Sequence, residues 1–411
     1  MKLFDELKWR GLIDNVTNSE LEAELNDGEL TFYIGTDPTG DSLHIGHYSS
    51  LLTAKRLKEA GHHPIMLVGG ATGFIGDPKA SGERNMLTKE VLQHNYECLS
   101  KQIQSVFGFQ MVNNLDWTKD ITVIDFLRDY GKHFNINTMI NKDTVRRRLE
   151  TGISYTEFSY MILQSLDFLH LYETYNCRLQ LGGQDQWGNI TSGLDLIRKK
   201  HGVDVKCYGL TMPLITKADG TKFGKSESGT VWLDKEKTSS YALYQFLVNT
   251  EDSKVIEYLK RLTFLHREEI EALEEKVKTE PHKREAQKAL AVEVVQTLHG
   301  DEELAKALRI TNCLFTGNIK ELNKDELMDA LDGFEKRIIP DQLPILDALV
   351  QAKITSSKRE ARDLVNAGSI QVNGDKVSDP AMIICRANAI GNGMTLIKRG
   401  KRKYFAVVQE A

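Results

Sequence analysis

Along the first half of the chain, short apolar runs at 30–34, 64–68, 110–112 and 178–181 alternate with amphipathic stretches such as 49–60 and 158–171. Runs of that length predict buried strands, and the 3.6-residue pattern between them predicts helices. Glycine-rich turns follow three of the strands: Gly35-Thr36-Asp37-Pro38, Gly69-Gly70-Ala71-Thr72-Gly73 and Gly182-Gly183-Gln184. Strand, glycine turn and helix in repetition predict an α/β fold built on a Rossmann-like parallel sheet. Ligands of such sheets sit beyond the carboxyl ends of the strands, where these turns fall.

From about Thr238 the pattern turns helical, at 240–248, 254–265, 268–277 and 281–298. Pro281 suits the first turn of the last of these and Gly300 its stop. Residues 317–342 are charged, with Gly333, Pro340 and Pro344 as punctuation, and read as a linker with some helix. Two short helices, 343–353 and 358–367, then precede further strands. The expected division is an α/β domain at 1–228, a helical domain at 229–322, a linker at 323–342 and a small α+β domain at 343–411.

A chain of 411 residues exceeds one ordinary core and suggests roughly two to four domains. Its 41% apolar and 27% charged residues are those of a soluble globular protein. No apolar run is long enough to cross a bilayer. The start, Met1-Lys2-Leu3-Phe4-Asp5-Glu6, lacks the basic and apolar segments of a signal peptide. Cys98, Cys177, Cys207, Cys313 and Cys385 show no paired metal-ligand spacing, which predicts a reducing cytoplasm without disulfides or structural zinc. Net charge is −5, yet residues 351–411 carry eleven Lys/Arg against five Asp/Glu, a local balance of +6. A basic tail on an acidic body predicts that one end meets a polyanion.

Two motifs carry chemistry. His44-Ile45-Gly46-His47 opens a helix after the 30–34 strand, and its histidines share one side of the first turn. A helix N-terminus favours anions, the rings can donate to phosphates, and Gly46 admits a flat ring close to the backbone. Taken alone, the tetrapeptide also fits a chance pair of capping or packed histidines. The preceding Tyr33-Ile34-Gly35-Thr36-Asp37-Pro38-Thr39-Gly40 sets it apart. The second motif, Lys222-Phe223-Gly224-Lys225-Ser226 between Gly220 and Gly229, places two lysines in a mobile loop that can neutralise a departing pyrophosphate. Its alternative is a solvated surface loop.

On the predicted helix 158–171, Tyr160, Gln164 and Asp167 fall at i, i+4 and i+7 as one polar stripe. Ile162, Leu166 and Leu169 form an opposite apolar stripe. The polar stripe could reach a zwitterionic ligand, or could be a solvated face, for which Lys and Glu would be the commoner residues. Lys142 with Arg146, Arg147 and Arg148 forms a dense basic patch that fits a phosphate backbone and a solvated helix face alike.

The order of the two motifs on a parallel sheet resembles class I aminoacyl-tRNA synthetases. The wording of the lysine loop departs from the commoner Lys-Met-Ser-Lys-Ser and is similar to the tyrosyl branch. The strings Leu67-Val68-Gly69-Gly70-Ala71-Thr72-Gly73 and Gly183-Gln184-Asp185-Gln186-Trp187-Gly188-Asn189 extend the resemblance, which covers essentially the whole chain. It implies that Tyr33 and Asp167 bind a substrate phenol hydroxyl. Asp77, Tyr160 and Gln164 would hold its ammonium, and Gln186 would lie near its carboxylate. Gly35, Asp37, Gly183 and Asp185 would line the ATP site with His44, His47, Lys222 and Lys225. Thr39, His44 and His47 would stabilise the transferring phosphates, and Lys222 and Lys225 the leaving pyrophosphate. The implied substrates are tyrosine, tRNA(Tyr) and ATP with Mg²⁺, the ion accompanying ATP without a dedicated protein cage. No tightly bound cofactor and no protein metal site are expected.

In this enzyme class a buried pair that must hydrogen-bond a hydroxyl rejects phenylalanine by about 10⁵. At the tail, Ser356-Ser357-Lys358-Arg359-Glu360-Ala361-Arg362 and Gly368-Ser369-Ile370-Gln371-Val372-Asn373-Gly374 resemble a small RNA-binding module first named for a ribosomal small-subunit protein. The resemblance further implies a helical domain that meets the anticodon region of tRNA, and a homodimer with 134–140 in the contact. The rivals are the tryptophanyl enzymes, small-molecule adenylyltransferases with a similar helix-start motif, and an inert fold that only binds RNA.

Overall fold

The computed structural model describes residues 1–78, 86–149, 151–226, 229–332, 334, 336–390, 393–400 and 403–410, without the side chains of 143, 144, 225, 226, 320 and 332. The chain forms two compact units. One is 1–223 with 257–265, and the other is 224–256 with 266–411.

The first unit is built on six strands: β1 (Asn15–Val16), β2 (Thr31–Thr36), β3 (His63–Val68), β4 (Gln110–Asn113), β5 (Cys177–Gly183) and β6 (Tyr208–Met212). Their order is β1-β6-β5-β2-β3-β4, parallel throughout except for β1, which runs antiparallel to β6 at the edge. Phe32, Ile34, Ile65, Met66, Leu67, Val68, Leu179 and Leu181 are all buried, because crossover helices cover both faces of a parallel sheet. Each such side chain contributes roughly 1.5–3 kcal/mol by burial. From β2 the chain winds one way to β3 and β4, then crosses back to β5 and β6. The crevice between the ends of β2 and β5 is therefore the topological switch point, where ligands of open α/β sheets bind.

The helix predicted over 158–171 runs Tyr155–Tyr175. Ser154 Oγ accepts from the Glu157 amide at 3.2 Å, a cap of about 1 kcal/mol, and Asn176 ends the helix with φ 50°. Tyr160 and Asp167 are as buried as Ile162, Leu166 and Leu169, so the polar stripe is not a solvated face.

The second unit holds the helices Ser240–Val248, Arg267–Thr279, Glu285–His299 and Asp301–Thr316, and a five-stranded sheet near the C-terminus. Pro281 begins a separate 3₁₀ turn, Pro281–Lys283, instead of the long helix. Arg284 then adopts φ 51° and its guanidinium donates to the carbonyls of Val248 and Thr250. Three further expectations are corrected. Residues 257–265 belong with the first unit, although the 254–265 pattern assigned them to the helical domain. The segment 323–342 is not a linker: it carries the helix Lys324–Asp332 and the strand Lys336–Pro340, which pairs in parallel with Lys403–Glu410. Ile339, 1% exposed, anchors that strand in the terminal core, a signal hidden in the sequence by its charged neighbours. The helical and terminal segments also share one compact unit, and Tyr404 Oη donates to the Leu314 carbonyl at 2.7 Å. Gly333, Lys401 and Arg402 lie outside the described residues. All five cysteines are free thiols, and no helix among the described residues is long and apolar enough to cross a membrane.

Candidate active site

The helix after β2 is Ile45–Glu59, with His44 as its N-cap. His44 Nδ1 accepts from the Gly46 amide at 3.1 Å, and His47 Nδ1 accepts from the His44 amide at 3.3 Å. The rings stack with centroids 3.9 Å apart. A side chain at position 46 would put Cβ 2.8 Å from His44 Cε1, so the flat ring that Gly46 admits is that of His44 itself. Burial pushes His47 down to about 3, with His44 adding to the shift. His44 is lowered by burial and then by the Lys222 ammonium. Both rings are thus neutral, and a neutral imidazole whose Nδ1 accepts carries its proton on Nε2. Each presents one N–H donor.

Asp37, just past β2, accepts from Thr72 Oγ1 at 2.7 Å and from the Tyr160 hydroxyl at 3.1 Å. Gly69 faces this pair so closely that a Cβ there would lie 2.4 Å from Asp37 Oδ1. Asp77 accepts from Gln186 Nε2 at 2.8 Å and from Asn189 Nδ2 at 3.2 Å. Gln164 donates to Gln186 Oε1 at 3.3 Å and accepts from Asn189 Nδ2 at 3.0 Å. Burial raises Asp77 to about 6, with Asp37 and Asp185 adding repulsion. Carboxylates that repel one another in this way form a place for a cation.

Deeper in the crevice lie Tyr33 and Asp167, 1% and 3% exposed. Tyr33 packs on Phe168 with ring centroids 5.3 Å apart, and its buried hydroxyl has no hydrogen-bond partner among the described residues. Asp167 accepts from Asn114 Nδ2 and Trp117 Nε1, both at 3.0 Å. Burial raises Asp167 to about 7, and burial followed by the Asp167 charge keeps the Tyr33 phenol well above its ordinary value. Gln180, paired with Tyr33 in register, has a buried Oε1 with no hydrogen-bond partner among the described residues. Unmatched buried polar atoms cost about 1–3 kcal/mol each, and proteins retain them where a ligand supplies the partner.

The remaining expected residues fall as follows. Gly35 is the last but one residue of β2, Gly183 ends β5, and Asp185 is exposed in the turn Gln184–Gln186. Thr39 is exposed, and its amide donates to the Asp37 carbonyl at 2.8 Å. Lys222 is exposed on a small hairpin where Thr216 bridges Lys222 and the Phe223 amide donates to Ile215. Lys225 falls in the second compact unit, in a two-stranded pairing with Gly229–Thr230, and its side chain lies outside the described residues.

Sequence reasoning missed Thr72, Asn114, Trp117, Asn189 and Tyr258. Thr72 and Asn189 stand inside the glycine-rich strings, and Asn114 follows the carboxyl end of β4, which were the available signals. Tyr258 braces the lysine hairpin, donating to the Thr216 carbonyl at 2.9 Å with its ring 4.5 Å from that of Phe223. The basic patch divides. Arg148 is buried and donates to both oxygens of Glu157 at 3.0 and 2.9 Å, which removes it from any phosphate surface. Lys142 donates to Thr191 Oγ1 at 2.9 Å, while Arg146 and Arg147 are exposed.

Residues 25–316 match the family of class I tRNA synthetases for tryptophan and tyrosine, and residues 326–407 match the tyrosine–tRNA ligase SYY-like C-terminal domain. The chain is 50% identical to a tyrosine–tRNA ligase of Listeria monocytogenes serotype 4a over 416 aligned residues, covering 99% of each chain. It is 51% identical to a tyrosine–tRNA ligase of Staphylococcus carnosus over 415, again 99% of each. Among solved structures, a C-terminally truncated mitochondrial tyrosyl-tRNA synthetase of Aspergillus nidulans is similar with TM-score 0.68 and 30% identity, over 76% of this chain and 94% of that one. A tryptophanyl-tRNA synthetase of Encephalitozoon cuniculi, 16% identical with TM-score 0.56 over 74% and 87%, shares the fold. The chain therefore belongs to the tyrosine–tRNA ligases of class I, enzymes that join tyrosine to tRNA in two steps through an adenylate made from ATP.

Proposed function

We propose that the crevice between β2 and β5 is where this ligase activates tyrosine and passes it to tRNA(Tyr). The observation that carries the reading is a pair of unlike polar sites to which one helix, Tyr155–Tyr175, contributes Asp167 and Gln164. Asp167 with the unpartnered Tyr33 hydroxyl suits a phenol, and the Asp77–Gln164–Gln186 cluster nearer the strand ends suits an ammonium. Tyr160, whose hydroxyl donates to Asp37, joins that cluster in holding the ammonium.

The tyrosine carboxylate, steered by Gln186, attacks the α-phosphate of ATP in line, giving tyrosyl-adenylate and pyrophosphate. The Nε2–H groups of neutral His44 and His47, with Thr39, stabilise charge on the transferring phosphates without deprotonation, while Lys222 and Lys225 neutralise the pyrophosphate. Gly35, Asp37, Gly183 and Asp185 flank the nucleotide. A terminal ribose hydroxyl of tRNA then takes the tyrosyl group. Mg²⁺ would accompany ATP and offset part of its phosphate charge, as is common for that ion without a dedicated protein cage. The terminal domain grips tRNA through its basic residues.

The enzyme works as a cytoplasmic homodimer. Free thiols suit a reducing compartment, and exposed Val123, Ile124, Leu127, Ile136 and Tyr155 give the first unit an apolar surface suited to a second copy. Monomers alone by sedimentation at micromolar concentration would exclude the dimer. For the activity, pyrophosphate exchange into ATP is run with tyrosine, with tryptophan and with no amino acid. Exchange that requires tyrosine is expected; exchange with tryptophan, or without any amino acid, would overturn the reading.

A further inference from the structure

The Asn189 amide nitrogen donates toward three acceptors at once: Asp77 Oδ1 at 3.2 Å, Gln164 Oε1 at 3.0 Å and Gln186 Oε1 at 3.1 Å. Asn189 lies in the first turn of the helix Trp187–His201, three residues beyond Gln186, and is 4% exposed. Three side chains from three different stretches of chain therefore turn an oxygen toward one nitrogen. No two of those oxygens can be further apart than the sum of two hydrogen bonds. An amide NH₂ has two hydrogens, whereas each oxygen can accept twice. Gln164 Nε2 to Gln186 Oε1 and Gln186 Nε2 to Asp77 Oδ2 supply further donors, yet the cluster still holds more lone pairs than these hydrogens fill. A primary ammonium, with three N–H groups and a positive charge, is the ligand that such a cluster lacks.

A buried asparagine in a helix can equally be a well-satisfied filler. Two features separate Asn189 from that. Each of its three contacts goes to a residue of the ammonium cluster, and it is neutral in a place where Asp37 and Asp185 already repel Asp77. A lysine there would occupy the cation site and an aspartate would add to the repulsion; an amide does neither.

We propose that Asn189 is a positioning residue for the substrate ammonium. It holds Asp77, Gln164 and Gln186 with their oxygens converged before the amino acid arrives, so that binding does not have to order them. This rests on the reading of the crevice as the tyrosine site.

The test uses the full-length enzyme and the variants Asn189→Ala, Asn189→Ser and Asp77→Asn. Tyrosine KM, ATP KM and kcat are measured by pyrophosphate exchange. Competitive inhibition by 3-(4-hydroxyphenyl)propionate, which has the phenol and the carboxylate but no ammonium, is measured beside them. Asn189→Ala is expected to raise the tyrosine KM about tenfold, the effect of one lost charge-assisted hydrogen bond. ATP KM should stay unchanged, and the inhibition constant of the deamino compound, which loses only what Gln186 gives its carboxylate, should rise far less than the tyrosine KM. Asn189→Ser keeps one donor and should fall between, and it keeps the test available if the alanine variant folds poorly. Equal weakening of tyrosine and the deamino compound would reduce Asn189 to packing and overturn the proposal, as would an unchanged tyrosine KM. If Asp77→Asn raises the tyrosine KM while Asn189→Ala does not, this inference alone fails. If neither variant changes it, the assignment of the ammonium cluster fails as well.

Discussion

Trp117 Nε1 donates to Asp167 Oδ1 at 3.0 Å, across fifty positions of sequence, and so fixes a carboxylate whose second oxygen is held by Asn114. The Asp167 oxygens are thereby aimed by neighbours that do not depend on the ligand. Asp167→Ala is expected to weaken tyrosine use far more than ATP use. Removing a buried partner of a hydroxyl costs about 1–3 kcal/mol, and more for a charged group. Exchange assays with tyrosine and phenylalanine check this, and an undiminished preference for tyrosine would refute the phenol assignment.

In the proposed site the Asp77 carboxylate would bind the ammonium in its charged form, and burial with Asp37 and Asp185 lifts it to about 6. As pH falls through that value the carboxyl gains a proton and loses its attraction for a cation, so kcat/KM for tyrosine should fall on the acid side. Asp167, raised to about 7, titrates above it. In Asp77→Asn the lower limb should vanish while a change near 7 remains. A profile identical to that of the unaltered enzyme would show that Asp77 does not face the substrate.

Lys222→Ala and Lys225→Ala should each slow adenylate formation while leaving tyrosine affinity nearly intact. In the proposed mechanism their charges act where pyrophosphate charge develops, so the loss would belong to the transition state. Rapid-quench measurement of adenylate at saturating tyrosine decides it; unaltered rates would return the hairpin to an ordinary surface loop.

Arg148 and Arg147 should behave as opposites. Arg148→Ala leaves the Glu157 carboxylate buried and unpaired, which costs about 3–5 kcal/mol. The exposed Arg147→Ala should leave stability almost unchanged. Urea denaturation of both variants measures the difference.

Replacing Lys358, Arg359 and Arg362, all exposed on the helix Lys358–Asn366, by alanine should reduce tRNA charging but not pyrophosphate exchange. Each lost phosphate contact should flatten the dependence of log K on log salt by about 0.9 or less, because fewer counterions are released. A salt slope equal to that of the unaltered enzyme would remove this helix from the tRNA surface.

Much of this molecule is written in near-neighbour pattern. The strand runs and glycine turns located β2, β3, β4 and β5 and the end of the sheet where a ligand belongs. The i, i+4, i+7 spacing alone grouped Tyr160, Gln164 and Asp167, since a helix repeats every 3.6 residues whatever surrounds it. The strand Lys336–Pro340 escaped because five residues with charged flanks carry too little periodicity, and it exists only by pairing with Lys403–Glu410. What tertiary structure alone decided is which polar group meets which. Arg146, Arg147 and Arg148 are identical in sequence, and only the approach of Glu157 makes one of them a core ion pair. Trp117 has no local signal, and Asn114 and Asn189 have only their places beside β4 and in a glycine-rich string; they matter because strand order brings β4 and the helix after β5 to the same crevice. Periodicity is set by backbone geometry within a few residues, whereas a hydrogen-bond partner is set by the path of the whole chain.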